Sequence, residues 1–280
     1  MDSFAKNFRF SVPGNKPALA GLVIVLFIFL IGILAPWVST NDPNRIDIRH
    51  ILSSPDKVHW MGTDELGRDV YARVVWSSRV SIVVGFIAVG ISILIGTLIG
   101  AVAGYYGGIV DDLTMRFTDI MLSIPTFFLI LASIAFLGPS LLNIMVIIGV
   151  TSWMGVARLV RAQFQAAREL DYISAVRALG AGDARIIFLH LLPNTLSPVY
   201  VSAILGIAGT ILLESSLSFL GLGVQPPTPS WGNILMAGKD NIEIAWWLSF
   251  FPGMAILITV LGYNLLGEGL RNMLDPRLKK

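Results

Sequence analysis

Six stretches of the chain, residues 18–38, 80–104, 120–137, 141–157, 198–222 and 245–266, are apolar over lengths close to that of a membrane crossing. A helix rising about 1.5 Å per residue needs about 20 residues to cross the roughly 30 Å hydrocarbon layer. Lipid offers no hydrogen-bond partner, so each stretch must satisfy its own backbone, and an unbroken apolar run does this as a helix. The fold class follows: an all-α integral membrane protein of about six spans, with five the nearest alternative count. The third and fourth stretches are short, which predicts helices that run on into the flanking polar sequence. Hydrophobic residues make up 55% of the chain and charged ones 14%, a balance that a soluble core does not need.

Lysine and arginine collect on the cytoplasmic side of membrane proteins. With the N-terminus inside, thirteen of the 20 basic residues fall on the inner side, among them Lys6, Arg9, Arg116, Arg158, Arg161, Arg168, Arg177 and Arg185. The outer seven are Arg45, Arg49, Lys57, Arg68, Arg73, Arg79 and Lys239, and most sit among acidic residues. The expected layout is a cytoplasmic segment 1–17, a first span 18–38 and an extracytoplasmic segment 39–79. A core, 80–272, follows with a cytoplasmic loop at 158–197 and an extracytoplasmic one at 223–244; residues 273–280 form a cytoplasmic tail. The run at 18–38 lacks a small-x-small cleavage site and reads as a retained span. Residues 1–16 are expected to lie on the inner membrane surface as a short helix, with Phe4, Phe8 and Phe10 dipping into it.

Several chemistries are poorly supported. A net charge of +2 with dispersed basic residues argues against nucleic acid, and the absence of cysteine excludes disulfides and thiolate metal sites. No Gly-x-x-x-x-Gly-Lys-Ser/Thr phosphate loop occurs, and Gly238-Lys239 is followed by Asp240. His50, His59 and His190 are scattered, and Asp64, Glu65 and Asp69 lack calcium-loop spacing. The chain is therefore expected to catalyse nothing and to hold neither metal nor cofactor.

Between residues 158 and 194 a polar stretch with five arginines interrupts the apolar pattern. Residues 162–179 read as an amphipathic helix, with Ile173, Ala175, Val176 and Leu179 on one side and Asp171, Ser174 and Arg177 on the other. Gly180-Ala181-Gly182 supplies a left-handed residue to end it, Asp183 is a good N-cap for a second short helix, and Pro193-Asn194 closes that helix. A helix pair outside the bilayer, tethered at both ends to spans, is shaped to receive a push from a partner; the plainer alternative is a surface loop resting on lipid headgroups.

Reading on from Ser174, Ser-Ala-Val-Arg-Ala-Leu-Gly180 and, twelve residues later, Leu192-Pro193 resemble the cytoplasmic coupling loop of ABC importer permeases. That pattern is Glu-Ala-Ala, three residues, Gly, then hydrophobic-x-Leu-Pro. Ala175, Gly180, Leu192 and Pro193 agree with it; Ser174, Val176 and His190 replace its Glu, Ala and Ile. Two more segments, His59-Trp60-Met61-Gly62-Thr63-Asp64-Glu65-Leu66-Gly67-Arg68-Asp69-Val70 and residues 217–227 (LSFLGLGVQPP), are similar to the second permease of dipeptide, oligopeptide and nickel importers. The resemblance implies a type I importer permease fold in a prokaryotic inner membrane. It also implies a second permease, two P-loop ATPases that use ATP and Mg, and an extracytoplasmic substrate-binding protein. Asp171, Ser174, Ala175, Arg177, Gly180, Asp183, Leu192 and Pro193 would then form the ATPase-coupling loop. Cargo would be a di- or oligopeptide, with nickel or another small solute as the alternative.

Glu214 is the one carboxylate well inside an expected span, where a charge costs about 2.5 to 3.5 kcal/mol, so it should face protein or water. It either borders a translocation path or accepts hydrogen bonds from hydroxyls inside the bundle. An ion-coupled secondary transporter driven through Glu214 is the rival from another class, but no pair of Gly/Pro-broken spans marks an inverted repeat. Gly96, Gly100 and Gly104 recur every four residues and predict a helix contact face. The segment 39–79, with a helix expected after Thr63 or Asp64, is either a lid on the spans or a dock for a binding protein. The proline-rich 225–232 predicts a fixed loop, and Trp246 and Trp247 an aromatic belt.

Overall fold

The computed structural model describes residues 15–274, so the expected N-terminal surface helix and the tail beyond 274 lie outside the described residues. Every long element is a helix. The first, α1 (Lys16–Val38), opens on an Asn15 cap, whose side chain accepts the Ala18 N–H at 3.3 Å. The second, α2 (Val70–Tyr106), runs 37 residues. At about 1.5 Å per residue that is ~55 Å, well over the thickness of a hydrocarbon core. Its start corrects two expectations, because the helix begins neither at residue 80 nor after Thr63 or Asp64. Asp69 is the N-cap, accepting the Ala72 N–H at 2.8 Å, and the span reaches ten residues further back than its apolar run.

The third apolar run is also corrected. It is not one helix but two, α3 (Gly108–Ser123) and α4 (Thr126–Leu137), bent by 83° at Pro125. Proline has no N–H to donate and disfavours helical backbone at the residue before it, and Ile124 is extended here, so the helix breaks at this point. The fourth run behaves as expected: α5 (Leu141–Val150) turns at Thr151-Ser152 and continues as α6 (Trp153–Arg168) into polar sequence. Five helical segments among the described residues are long and apolar enough to cross a membrane, or six if the bent pair counts as one span.

Beyond α6 lie α7 (Asp171–Ala178), the short α8 (Asp183–Arg185), a π-helical stretch Ile186–Leu191, and α9 (Leu192–Thr195). The long spans α10 (Ser197–Phe219) and α12 (Trp247–Leu274) flank α11 (Trp231–Asp240), a helix inside what reads from sequence as a loop. Ser230 caps α11 with a full capping box, its hydroxyl accepting the Asn233 N–H and the Asn233 side chain accepting the Ser230 N–H.

The centre of the bundle is the contact of α2 with α6. Gly96, Gly100 and Gly104 lie against the carbonyls of Trp153, Ala157 and Arg161, the same four-residue step on both helices. A Cβ at Gly96 or Gly104 would sit 2.7 Å from Trp153 O or Arg161 O, so only glycine admits this approach. A core of Ile28, Ile82, Ile207, Ile211, Trp231 and Tyr263 then joins α1, α2, α10, α11 and α12. The spans are thus held in one bundle whose two ends, at the start and finish of α2, carry different structures.

Candidate functional site

At the finish of α2, the polar stretch forms a helix, a glycine turn and a second helix. The first helix is not continuous over 162–179, because α6 ends at Arg168 and α7 starts at Asp171. The break at Glu169-Leu170 lets α7 change direction and bury Ile173 beside Phe164, Ile186 and Leu191. Gly180 has φ +82°, in the left-handed region, and the Ala181 N–H reaches back to Val176 O at 3.3 Å to close the turn. Asp183 is the first residue of α8 rather than its cap, a position taken by Gly182. Pro193 does not end the helix either. It lies in the first turn of α9, directly after the π-helical stretch, and helical backbone continues to Thr195.

Sequence reasoning missed the residue that fixes this turn to the bundle. The Tyr105 hydroxyl donates to Asp183 Oδ1 at 2.6 Å, Arg177 lies 5.9 Å over the Tyr105 ring, and Arg168 Nη1 donates to the Tyr105 carbonyl at 3.0 Å. Tyr105 ends the Gly96, Gly100, Gly104 stripe, and that position is the only trace it leaves in the sequence. Asp111 is held as firmly, by a two-point pair with Arg161 and by Gln165 Nε2 at 2.9 Å. Asp183 and Arg177 therefore meet at one aromatic ring. Asp171, Ser174, Ala175 and Pro193 are exposed, whereas Leu192 is half-buried. Leu179 is 88% exposed, and Leu170, Phe188 and Leu189 also stand open to the outside. An apolar rim over a buried base presents a surface to another protein.

At the start of α2, the segment between α1 and α2 folds back as a lid. Thr63 pairs with Asp69 in a single bridge, and the Thr63 hydroxyl donates to the His50 carbonyl. Trp247 is buried and donates from Nε1 to Thr63 O at 3.0 Å, so of the two tryptophans expected in an interfacial belt only Trp246 is exposed. Asp64 gathers Arg68 Nε at 2.7 Å and the N–H groups of Leu66 and Arg68, both at 2.9 Å. The lid packs on its own spans, with Leu52 and Met61 against Val70, Ile234 and Trp247. Exposed acids here are drawn below the usual carboxylate range: Asp47 by the His50 ring, then the Arg49 N–H; Asp56 by the N–H groups of His59 and Val58.

Glu214 has no exposed surface. Its Oε1 accepts the Ser218 hydroxyl at 2.6 Å and Oε2 faces Ser215 at 3.4 Å, so the hydroxyl contacts of the second reading are present. Ser218 in turn accepts the Val224 N–H at 2.9 Å, tying α10 to the chain leading into α11. Nearer mid-span, a cavity of about 250 Å³ separates α2, α6 and α10, walled by Ser92, Ser152, Gly155, Ser202, Gly209 and Thr210.

A helical membrane bundle with an apolar-rimmed helix turn braced at one end has the form of an ABC importer permease. Residues 96–280 match the model for the inner membrane component of binding-protein-dependent transport systems, and residues 8–55 that for the N-terminal transmembrane domain of oligopeptide transport permease C. The chain belongs to this family of transport permeases, multi-pass subunits of the inner membrane in which ATPase activity sits on separate subunits. It is 43% identical over 95% of its length to the dipeptide transport system permease DppC of Alkalihalophilus pseudofirmus, covering 87% of that protein. With the di/tripeptide permease DppC of Pseudomonas aeruginosa it shares 42% identity, covering 98% of this chain and 92% of the relative. Against the probable D,D-dipeptide permease DdpC of Escherichia coli the figures are 41%, 94% and 89%. An inward-facing MetNI methionine ABC transporter chain shares the fold, with TM-score 0.56 and 19% identity over 72% of this chain and 97% of the other. The family implies, in general terms, a partner permease, ATPases and a substrate-binding protein.

Proposed function

We propose that this chain is one of two different permeases that together line an ATP-driven import path for di- or oligopeptides. The observation that carries the reading is the turn around Gly180, exposed and apolar at its rim yet braced from below by Tyr105 and Ile173. Such a piece can transmit a push into α2 and α6 without deforming. In this reading residues 158–197 are cytoplasmic and seat in one of two P-loop ATPases, with Asp171, Ser174, Ala175, Arg177 and Gly180 nearest the contact. Asp183, Leu192 and Pro193 fix the turn's shape. ATP and Mg belong to the ATPases, and closure of the ATP-loaded pair rocks the spans from inward-facing to outward-facing. The lid end then faces the extracytoplasmic binding protein.

The cargo reading is supported by the relatives, whose names specify dipeptides, di/tripeptides and D,D-dipeptides. The mid-span cavity sets the hydroxyls of Ser92, Ser152 and Thr210 in a largely apolar wall that includes Val89, Ile93 and Leu213, which suits a peptide with small or apolar side chains. Glu214 acts from beside that path, fixing Ser218 and through it the chain at Val224.

Gentle purification of the tagged chain from its native membrane, with mass spectrometry of what accompanies it, tests the assembly. Recovery of a second permease and P-loop ATPases is the expected result. A stable homo-oligomer with no ATPase would overturn it in favour of an ion-coupled carrier.

A further inference from the structure

At the lid end a cavity of about 340 Å³ opens between the lid, the chain after α10, and α11, with Glu65, Arg68, Arg73, Gln225, Asn233 and Asp240 in its wall. Neither the coupling turn nor the mid-span cavity uses any of these residues. Arg73 is only 3% exposed, so its guanidinium has given up water and needs close acceptors in exchange. The acceptors it has are distant. Nη1 donates to Pro43 O at 3.5 Å and Nη2 to Asn233 Oδ1 at 3.4 Å. Nε is 3.5 Å from Asp64 Oδ2 and makes no hydrogen bond.

Asp64 cannot do more, because that same Oδ2 takes Arg68 Nε at 2.7 Å while Oδ1 takes two backbone N–H groups. Two guanidiniums thus share one carboxylate on one side of the cavity. Glu65 and Asp240, both exposed, supply negative charge to the same wall. Glu65 is engaged by the Asn241 amide at 2.8 Å, and the ion-pair partner of Asp240 among the described residues is Lys239 at 3.9 Å. A second carboxylate is what the arginine side lacks, since the guanidinium fork matches a carboxylate at two points. An ammonium is what the acidic side can take. The volume falls within the roughly 300–1,000 Å³ of small-molecule sites.

We propose that this cavity receives the cargo peptide at the mouth of the path, its α-carboxylate on Arg68 and Arg73 and its α-amine toward Glu65 and Asp240. The proposal rests on the peptide-import reading and adds to it a site on the permease itself, separate from whatever the binding protein recognises.

The test uses the whole complex in proteoliposomes, with ATP inside and binding protein saturated with a labelled dialanine peptide outside. Uptake is measured alongside the affinity of the peptide-free binding protein for the membrane complex. Arg68→Gln removes the fork, and Ala237→Phe fills the cavity from α11 without altering a charge; thermal unfolding of each complex checks that it is intact. Arg68→Gln should lower uptake about tenfold, the loss of one charge-assisted contact, and Ala237→Phe should lower it at least as far by excluding the peptide. Arg68→Lys should restore part of it, and affinity for the binding protein should stay unchanged. Unaltered uptake in intact complexes of both variants overturns the proposal. So does a matching loss of binding-protein affinity, which would assign the carboxylate to the docked protein. If the wild-type complex carries no peptide at all, the import reading fails first and takes this cargo with it, a result separable from any variant effect.

Discussion

Gly67 and Gly180 both take a positive φ, +72° and +82°, at opposite ends of the bundle, yet their surroundings differ completely. A Cβ on Gly67 would overlap the Asp47 carbonyl, whereas one on Gly180 would meet nothing within 4 Å. The lid is closed by its own atoms: a buried carboxylate with two arginines, a buried tryptophan on Thr63, a carbonyl in contact with a glycine. The Gly180 turn is anchored on its inner side only and leaves Leu179 standing free. Within the chain the lid end is packed on its own spans, whereas the turn at the other end leaves an apolar rim uncovered.

If that contrast is right, the same substitution should cost different amounts at the two glycines. Gly67→Ala combines left-handed strain of about 1–2 kcal/mol with overpacking of about 1–3 kcal/mol. It should lower the thermal midpoint of the purified complex by the largest amount of any change considered. Gly180→Ala carries only the strain, about 1–2 kcal/mol. Equal shifts at the two sites would break the comparison. Gly180→Val sharpens it further: the chain should still insert and join its partner permease, but ATP hydrolysis should no longer drive uptake. Normal transport by an assembled Gly180→Val complex would remove the coupling role from this turn.

The spans were legible because hydrophobic length is a property of consecutive residues. Gly180 was legible because a turn between two amphipathic segments needs a left-handed residue. What could not be read were junctions decided by groups distant in sequence. Asp69 begins α2 because the lid brings Thr63 beside it, and Trp247 leaves the membrane interface because Thr63 offers it a carbonyl. Pro125 was visible, but an apolar run with one proline reads equally as a kinked span, and only the packed bundle fixes the 83° bend. The residues of the Gly180 turn were picked out by pattern, whereas Tyr105, 78 residues from Asp183, belongs to no local pattern.

The brace beneath the turn gives a smaller effect. Tyr105→Phe keeps the ring under Arg177 and removes only the hydroxyl bonded to Asp183, a net contribution of about 1 kcal/mol. Amide exchange should quicken across 183–191 while the lid is unaffected. If exchange rose equally at both ends, the two would be one cooperative unit and the contrast would be lost.

The smallest effect belongs to pH, and it falls on the lid alone. The Asp56 carboxylate accepts N–H groups from His59 at 2.6 Å and Val58 at 2.8 Å, which holds its pKa below the usual range. A carboxylate whose folded pKa is depressed binds fewer protons folded than unfolded between the two values. Its contribution is complete above the unfolded value, about pH 4, and disappears as pH falls through the folded one. Protection of the amides of Val58 and His59 should therefore hold between pH 7 and pH 5 and fall only in stronger acid. Asp56→Asn should remove that acid dependence and leave the exchange of 183–191 unchanged. A variant that still loosened in acid at these two amides would place the proton elsewhere in the lid, with Asp47, held low by His50, the next carboxylate to replace.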